Sequence, residues 1–431
     1  MLEKRSISQI KRYFGYAFWV ALETAIFVGL SRAVLFPVVA YLLGKEEFGL
    51  FLFAFSIVMI IGSAPAEGLM TGILRCIAGY EGLSTDRLIS TAIWLCKIAM
   101  LIIVTTGLIV LGIVSYFYQV QPKVIWCILA LLILLYSWNI FELQMVRYRA
   151  ERKFALRTAW YSLLSMLTFI AIPAAIFGGV VGMTCGYALG YVITQILVSW
   201  KQKILFKKII YDAETGYFLK KVWLFVSISS ILSLSSRSIY RIILGIFYSY
   251  STVSILFGAT NIIDLCTAPL SMLSSLLLSM LSGFERLGDV GRKKIYLVFG
   301  VAVSISFIAP IIVFFAGPLI SSIMFPGFAA ESTQLLRRLI IIIPFVTIRV
   351  FANPFIVKFG PIKFIPILSF TALAAHLLPA IFLIPKFGLN GAVISYYVGH
   401  GATTLAWLLA LIWTFKFGGD RILSVTPEAV E

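Results

Sequence analysis

The sequence predicts an all-α, polytopic membrane protein of about twelve transmembrane helices, built as two six-helix halves in the same orientation. Three observations carry that prediction. Of 431 residues, 61% are hydrophobic and only 12% charged, whereas a soluble domain needs about one quarter charged residues to solvate its surface. Mean hydropathy is +1.02, and the apolar residues gather into runs near the ~20 that cross a bilayer as helix. Finally, sliding the sequence along itself by about half its length lays two pairs of stretches over each other.

In order, the runs of the first half fall at 16–43, 47–70, 88–117, 123–146, 157–177 and 179–200. The second half repeats the plan at 222–248, 252–282, 294–320, 335–360, 363–384 and 388–415. The expected division is an N-terminal six-helix lobe at 1–200, a basic cytoplasmic linker at 201–221 and a C-terminal six-helix lobe at 222–431. Starting the first span inside places about 25 of the 35 Lys and Arg on the cytoplasmic side, in segments such as "EKRSISQIKR", "RYRAERKFALR" and "KQKILFKK". Both termini are therefore expected in the cytoplasm, with the protein in the cytoplasmic membrane. The net charge of +17 follows from this asymmetry and from attraction to anionic lipids. Its dispersal over short loops argues against a nucleic-acid partner. The first apolar run is too long for a signal peptide and reads as a retained span. Cys76, Cys96, Cys127, Cys185 and Cys266 are scattered, which points to packing rather than to a disulfide framework or metal site.

The repeat has two registers. At an offset of 205, "LSRAVLFPVVAYLLGKEEFGLFLFAFS" lies over "SSRSIYRIILGIFYSYSTVSILFGATN", and Arg32 falls on Arg237. At an offset of 209, Gly179, Gly182, Tyr187 and Gly190 fall on Gly388, Gly391, Tyr396 and Gly399. Six spans per half is an even number, so the halves form a parallel repeat about an axis along the membrane normal.

Enzyme signatures are missing: the two histidines, His376 and His400, stand apart, and there is no phosphate-binding glycine loop, H-E-x-x-H or catalytic acid pair. The longest outer loop, around 321–334, is too short for a catalytic domain. Costly polar residues instead lie within spans, which points to a substrate path. Arg32 and Arg237 each lie about 12 residues, roughly 18 Å, below the outer ends of their helices, near the midplane. Arg241 is one turn shallower, and Arg349 lies deep in "IIIIPFVTIRVFANPF". Arg237 has two readings, a pair with Asp264 or a ligand role, while Arg32 has no acid at its level in span 2 and is expected to wait for a mobile anion. Lys97 is expected to snorkel to the inner surface. Glu23 and Glu67 share a level, which suggests a proton site formed by two carboxylates. The other reading puts Glu67 at the interface, beside "APAEG".

"LGKEEFGLFLFAFSI" after a deep arginine, "GILRCIAGY" after span 2 and "IPKFGLNGAVISYYVG" at span 12 resemble the polysaccharide-transporter branch of the multidrug/oligosaccharidyl-lipid/polysaccharide (MOP) flippases, the Wzx-type oligosaccharide flippases in particular. Ser254 departs from the family's usual glycine. The resemblance implies two six-helix lobes forming a V, alternating access, and a polyprenyl-pyrophosphate-linked sugar as substrate. It also implies no cofactor, no covalent chemistry, a proton or sodium ion as the coupling ion with Glu23, Glu67 and Asp264 as candidates, and partners among membrane lipids and polysaccharide-assembly proteins. Spans 1 and 7 line the cavity in that family. Arg32, Arg237, Arg241 and Arg349 then become candidates for holding the anionic headgroup. Within the superfamily, a lipid II flippase should show fourteen spans, and a cation-exporting multidrug antiporter should carry acids at mid-depth. A membrane glycosyltransferase would need catalytic acids facing one aqueous side.

Overall fold

The computed structural model describes residue 15 and residues 18–62, 64–79, 85–118, 121–203, 211–281, 292–361 and 364–417. The first half contains α1 (Phe36–Gly62), α2 (Ala64–Gly79), α3 (Thr85–Tyr118), α4 (Pro122–Ala150), α5 (Phe154–Thr168) and α6 (Ala171–Lys201). The second contains α7 (Ala213–Phe247), α8 (Tyr250–Leu281), α9 (Arg292–Met324), α10 (Ala329–Leu339), α11 (Ile342–Phe359) and α12 (Phe364–Phe417). Helix also precedes α1 from Phe18, and it changes to a π-helical segment at Gly29–Leu35. Among the described residues, 9 helical stretches are long and apolar enough to cross a membrane. The protein is an all-helical, multi-pass membrane protein.

Two of those stretches, Phe18–Ile60 and Phe364–Phe417, run to 43 and 54 residues, far beyond one bilayer. They fold back on themselves. The Phe36 and Phe51 rings lie 6.0 Å apart, although straight helix would separate them by about 22 Å, so the chain reverses between them at Gly44, whose φ is 73°. In α12, Gly399 lies hard against the His376 ring, a pair that straight helix would hold about 34 Å apart. The pivot is Gly388, with φ 56° and ψ −129°. The same hairpin occurs in α6, where Gly190 abuts the Leu167 backbone and the pivot is Gly179, φ 55° and ψ −144°. Only glycine adopts such angles without strain. Gly182 against the Ala174 carbonyl and Gly391 against the Leu383 carbonyl complete the match. Dividing these stretches at their pivots and counting α5 with the start of α6 recovers the twelve runs read from sequence.

Two boundaries differ from the sequence reading. The loop expected around 321–334 is largely helical: α9 continues to Met324, a 3₁₀ turn spans Pro326–Phe328, and α10 follows. Ser332, Leu335, Leu336 and Leu339 bury one face of α10 while Glu331, Arg337 and Arg338 stay on the other, so the polar residues before 335 belong to an amphipathic helix rather than to a loop. The basic linker is likewise shorter than 201–221, because α7 starts at Ala213. Asp212 caps it by accepting from the Thr215 amide, and the Thr215 contacts hold the Asp212 carboxyl below its ordinary range. Residues 204–210 of that linker lie outside the described residues.

The halves meet along α1, α2, α7 and α8. Near the hairpin tips Glu46 accepts from the Ser251 amide at 2.9 Å, the Ser254 hydroxyl donates to the Lys45 carbonyl at 2.6 Å, and Lys45 pairs with Glu331 at 3.3 Å. Glu46 and Ser251 are themselves 205 positions apart, as the repeat requires of residues facing one another across a twofold axis. Toward the other ends of these helices, Gly68 packs on Trp223 and Ser227, and Gly72 on Leu219. Buried Asn139 bridges the α1–α2 break, donating to the Gly62 carbonyl and accepting from the Ala66 amide.

Candidate functional site

Between the two sets of contacts that join the halves lies a cluster of arginines. Arg32 sits on the π-helical segment, where the Phe36 amide bonds back to the Ser31 carbonyl. Such insertions re-aim side chains and recur at functional sites. Its guanidinium pairs with Asp264 on α8, and Asn261, one turn earlier, donates to the Arg32 carbonyl at 3.1 Å. The two side chains are 36% and 55% exposed, so this pair borders open space rather than packed core. Arg237 and Arg241 enter from α7, the first exposed and the second half-buried. No carboxylate lies within ion-pair distance of either among the described residues. Arg241 is in electrostatic range of Arg32 and Asp264, and Arg237 of Arg349. The pseudo-symmetric tyrosines mark the same places, with Tyr187 in range of Arg32, and Tyr396 in range of Arg237 and Arg241.

This corrects the sequence reading of the acid. Asp264 pairs with Arg32 of the other half and not with Arg237, so Arg237, like Arg241, has no carboxylate within ion-pair distance among the described residues. Matching levels only between adjacent spans overlooked a contact across the halves.

Arg349 on α11 donates to His400 Nδ1 at 3.0 Å. Since arginine only donates, that nitrogen is unprotonated. His376 Nδ1 lies 2.6 Å from the Tyr240 hydroxyl, which reaches the Ser395 carbonyl at 3.1 Å. The carbonyl can only accept, so the hydroxyl donates to it and accepts from His376. The imidazoles lie 4.8 Å apart, and Tyr396 stacks on Tyr240 at 3.9 Å. The histidines that stand apart in sequence are brought together by the Gly388 hairpin.

The first half holds a different buried network. Glu23 pairs with Arg157 at 3.0 Å, Arg157 approaches the Tyr161 hydroxyl at 3.4 Å, and that hydroxyl donates to Glu142 at 2.6 Å. Phe27 and Trp138 stack above it, their ring centroids 5.7 Å apart. The expected pairing of Glu23 with Glu67 is not what forms. Helix restarts at Ala64, so Glu67 falls in the first turn of α2, exposed, where a carboxylate complements the helix dipole. The second buried acid is Glu142, which sequence reading placed unremarked near the end of a span. Arg157, read as one of a cytoplasmic basic run, turns inward and is only 12% exposed. The spacing of Arg157 and Tyr161, one turn apart at the start of an apolar run, was the available signal.

No family model matches the chain, and no curated protein sequence matches it. Solved structures do. The lipid II flippase MurJ in an inward closed conformation aligns with TM-score 0.72 at 15% identity, covering 93% of this chain and 89% of that one. An inward-facing multidrug resistance MATE family transporter of the MOP superfamily aligns with TM-score 0.69 at 16% identity, covering 94% and 97%. A MOP superfamily transporter from Pyrococcus furiosus, described as having a binding pocket of reversed polarity, aligns with TM-score 0.65 at 17% identity, covering 93% and 95%. The chain therefore has the MOP transporter fold over nearly its whole length.

Proposed function

We propose that the protein is a flippase that moves a lipid-linked oligosaccharide, a polyprenyl-pyrophosphate-bound repeat unit, across the cytoplasmic membrane by alternating access of two six-helix lobes, 1–200 and 222–431, both termini lying in the cytoplasm. The observation that carries this reading is a charge balance: Arg32, Arg237 and Arg241 stand with one carboxylate, Asp264, and Arg349, enclosed in the second half, is in electrostatic range of Arg237. Unpaired guanidinium groups are costly away from water, and an anionic headgroup offsets that cost only while bound. Such differential binding is what lets a substrate bias a conformational equilibrium. Planar guanidinium forks suit phosphate oxygens. Transport of this kind requires no covalent chemistry.

The Glu23–Arg157–Glu142 network is the corresponding candidate for coupling to a proton or sodium ion, with Glu67 and Asp264 as further carboxylates. The similarity to MurJ supports a lipid-linked substrate. The similarity to MATE transporters supports the alternative of a small-molecule exporter, which the cationic cluster disfavours for cationic cargo. The test is depletion of the protein in its native cells, followed by extraction of lipid-linked intermediates. Accumulation of a complete polyprenyl-linked repeat unit on the cytoplasmic leaflet is expected. An unchanged lipid-linked pool, with altered resistance to small cations, would overturn the reading in favour of the exporter.

A further inference from the structure

On the outside of the first half, away from the arginine cluster, α3 and α4 leave a groove of about 530 Å³ between them. Its lining is apolar except at one end. Along α3 it runs from Lys97 through Leu101 to Leu108, and along α4 from Leu129 through Leu132 to Tyr136, each stripe at helical spacing. The two helices are antiparallel, consecutive in the chain at one end, where Tyr118 precedes Pro122 by four positions, and joined by the Arg147–Asp86 ion pair, 3.2 Å, at the other. Lys97 and Tyr136 therefore lie at the same end, the end nearer that ion pair.

The position of Lys97 along α3 is the informative part. From Ile98 to Tyr118 the helix has no charged residue, which is close to the ~30 Å of one hydrocarbon core at 1.5 Å per residue. Lys97 thus marks one boundary of that core. From Lys97 to Leu108 the groove covers about 16 Å, near the half-thickness of the core and so the depth of one leaflet. The Lys97 side chain is exposed, and no carboxylate lies within ion-pair distance of it among the described residues. The floor is firm, with Met100 buried and Leu132 nearly so, while Leu101 and Leu108 remain open at the walls. A cation at the headgroup level of a one-leaflet apolar channel matches a lipid that carries a negative charge at the same level.

We propose that this groove is a binding site for an anionic membrane phospholipid, with one acyl chain lying between α3 and α4 and its phosphate meeting the Lys97 ammonium beside Tyr136. Length favours this occupant over a polyprenyl tail, which overruns one leaflet, and over a helix of another protein, which would not need a cation at a single end.

The experiment uses the full-length protein, delipidated in detergent and titrated with phosphatidylglycerol or phosphatidylcholine, with bound lipid counted by native mass spectrometry. Wild type should retain phosphatidylglycerol in preference. Lys97→Gln should lower that preference about fivefold, the factor a single lysine near an anionic surface represents, while leaving phosphatidylcholine binding unchanged. Leu101→Trp, which fills the channel and keeps the charge, should reduce binding of both lipids. Thermal unfolding of each variant, measured without lipid, shows whether it is folded, and Lys97→Arg should rescue the preference. An unchanged preference in Lys97→Gln would overturn the proposal, as would undiminished binding in Leu101→Trp. Polyprenyl phosphate displacing phosphatidylglycerol at equal concentration would also overturn it, in favour of the carrier's tail.

Discussion

The two halves share a backbone plan and differ in what they bury. Hairpin pivots at Gly179 and Gly388 have nearly the same φ, 55° and 56°, and close contacts around them recur 209 positions apart. Yet the first half encloses two carboxylates and one arginine, Glu23, Glu142 and Arg157, whereas the second encloses an arginine and two imidazoles, Arg349, His400 and His376. Glu142 and Arg349 even stand 207 positions apart, between the two offsets of the repeat. Tyr191 likewise corresponds to His400, and Leu167 to His376. A duplicated scaffold has thus been given opposite polarity at matched places. On the proposed function, that separates the handling of a coupling cation from the handling of an anionic headgroup.

The largest effect should come from the cavity cations, because there the comparison rests on charge without a partner. Arg237→Ala, at matched protein level, should lower flipping by about ten- to a hundredfold, as loss of one charge-assisted contact worth roughly 1.5–3 kcal/mol implies. Arg237→Lys, which keeps charge but not the planar fork, should fall between. Arg32 differs by its bond to Asp264. Because both side chains are at least a third exposed, the double-mutant coupling of that pair in thermal unfolding should be no more than about 1 kcal/mol, even if transport is lost. Surface appearance of the repeat unit, read by lectin binding, measures the first effect. Full activity in Arg237→Ala would remove the cationic cavity from the account.

Next in size is a stability contrast between the buried networks. Arg157→Met removes the guanidinium bonded to Glu23 and leaves Glu23 and Glu142 only Arg149 in electrostatic range, and breaking a buried pair this way costs up to about 3–5 kcal/mol. Arg349→Met removes a cation that bonds an imidazole, faces Arg237 and has no partner for its Nε, so unfolding temperature should be unchanged or slightly higher. Thermal unfolding in detergent decides it. If both variants lose equal stability, the two networks are structurally alike and their opposite polarity does not matter to folding. Adding Glu23→Gln to Arg157→Met should recover part of the loss.

Much of the fold was legible because lipid imposes one rule along the whole chain: backbone must be helical and surface apolar. That is why the twelve runs and the offset repeat could be read before any contact was known. Where Pro326, Gly327 and the polar residues 331–334 interrupted an apolar run, the rule weakened, and the end of one helix and the start of another were read as a loop. The deep arginines were legible by cost alone. Their partners were not, because depth is one coordinate and a contact needs three. Arg32 and Asp264 belong to different halves, and Glu142 and Arg157 looked like the ordinary flanks of a basic loop.

A smaller effect tests whether the shared pivots are equally demanding. Gly179→Ala and Gly388→Ala each force a side chain into a positive-φ, negative-ψ backbone region that costs L-residues about 1–3 kcal/mol. The surroundings differ: a Cβ on Gly388 meets the Tyr248 ring at 3.1 Å, and one on Gly179 meets the Glu47 carboxylate at the same distance. Glu47 can swing away more cheaply than a ring held by its hydroxyl to the Pro385 carbonyl. Gly388→Ala should therefore be the more destabilising. The reverse order in thermal unfolding would mean that the Gly388 hairpin has slack that the Gly179 hairpin lacks.

The smallest effect concerns the hairpin tips, where the halves carry different residues. The first carries Lys45, Glu46 and Glu47; the second carries tyrosine and serine at 248–251. The three charged residues serve different contacts. Glu47 pairs with Lys123 at 2.5 Å, inside its own half. Lys45 and Glu46 reach across, to Glu331 and to the amide of Ser251 at the start of α8. A carboxylate at a helix N-terminus is worth about 0.3–1 kcal/mol, and this one exists only while the tips touch. Glu46→Gln should therefore raise the population with separated tips by about two- to fivefold, whereas Glu47→Gln should leave it unchanged. Electron–electron double resonance between spin labels at the exposed positions Tyr41 and Ile246, in a background lacking other cysteines, reports that population directly. Equal shifts in the two variants would mean that charge at the tip acts generally, and that the cross-half bond of Glu46 has no part in holding this end closed.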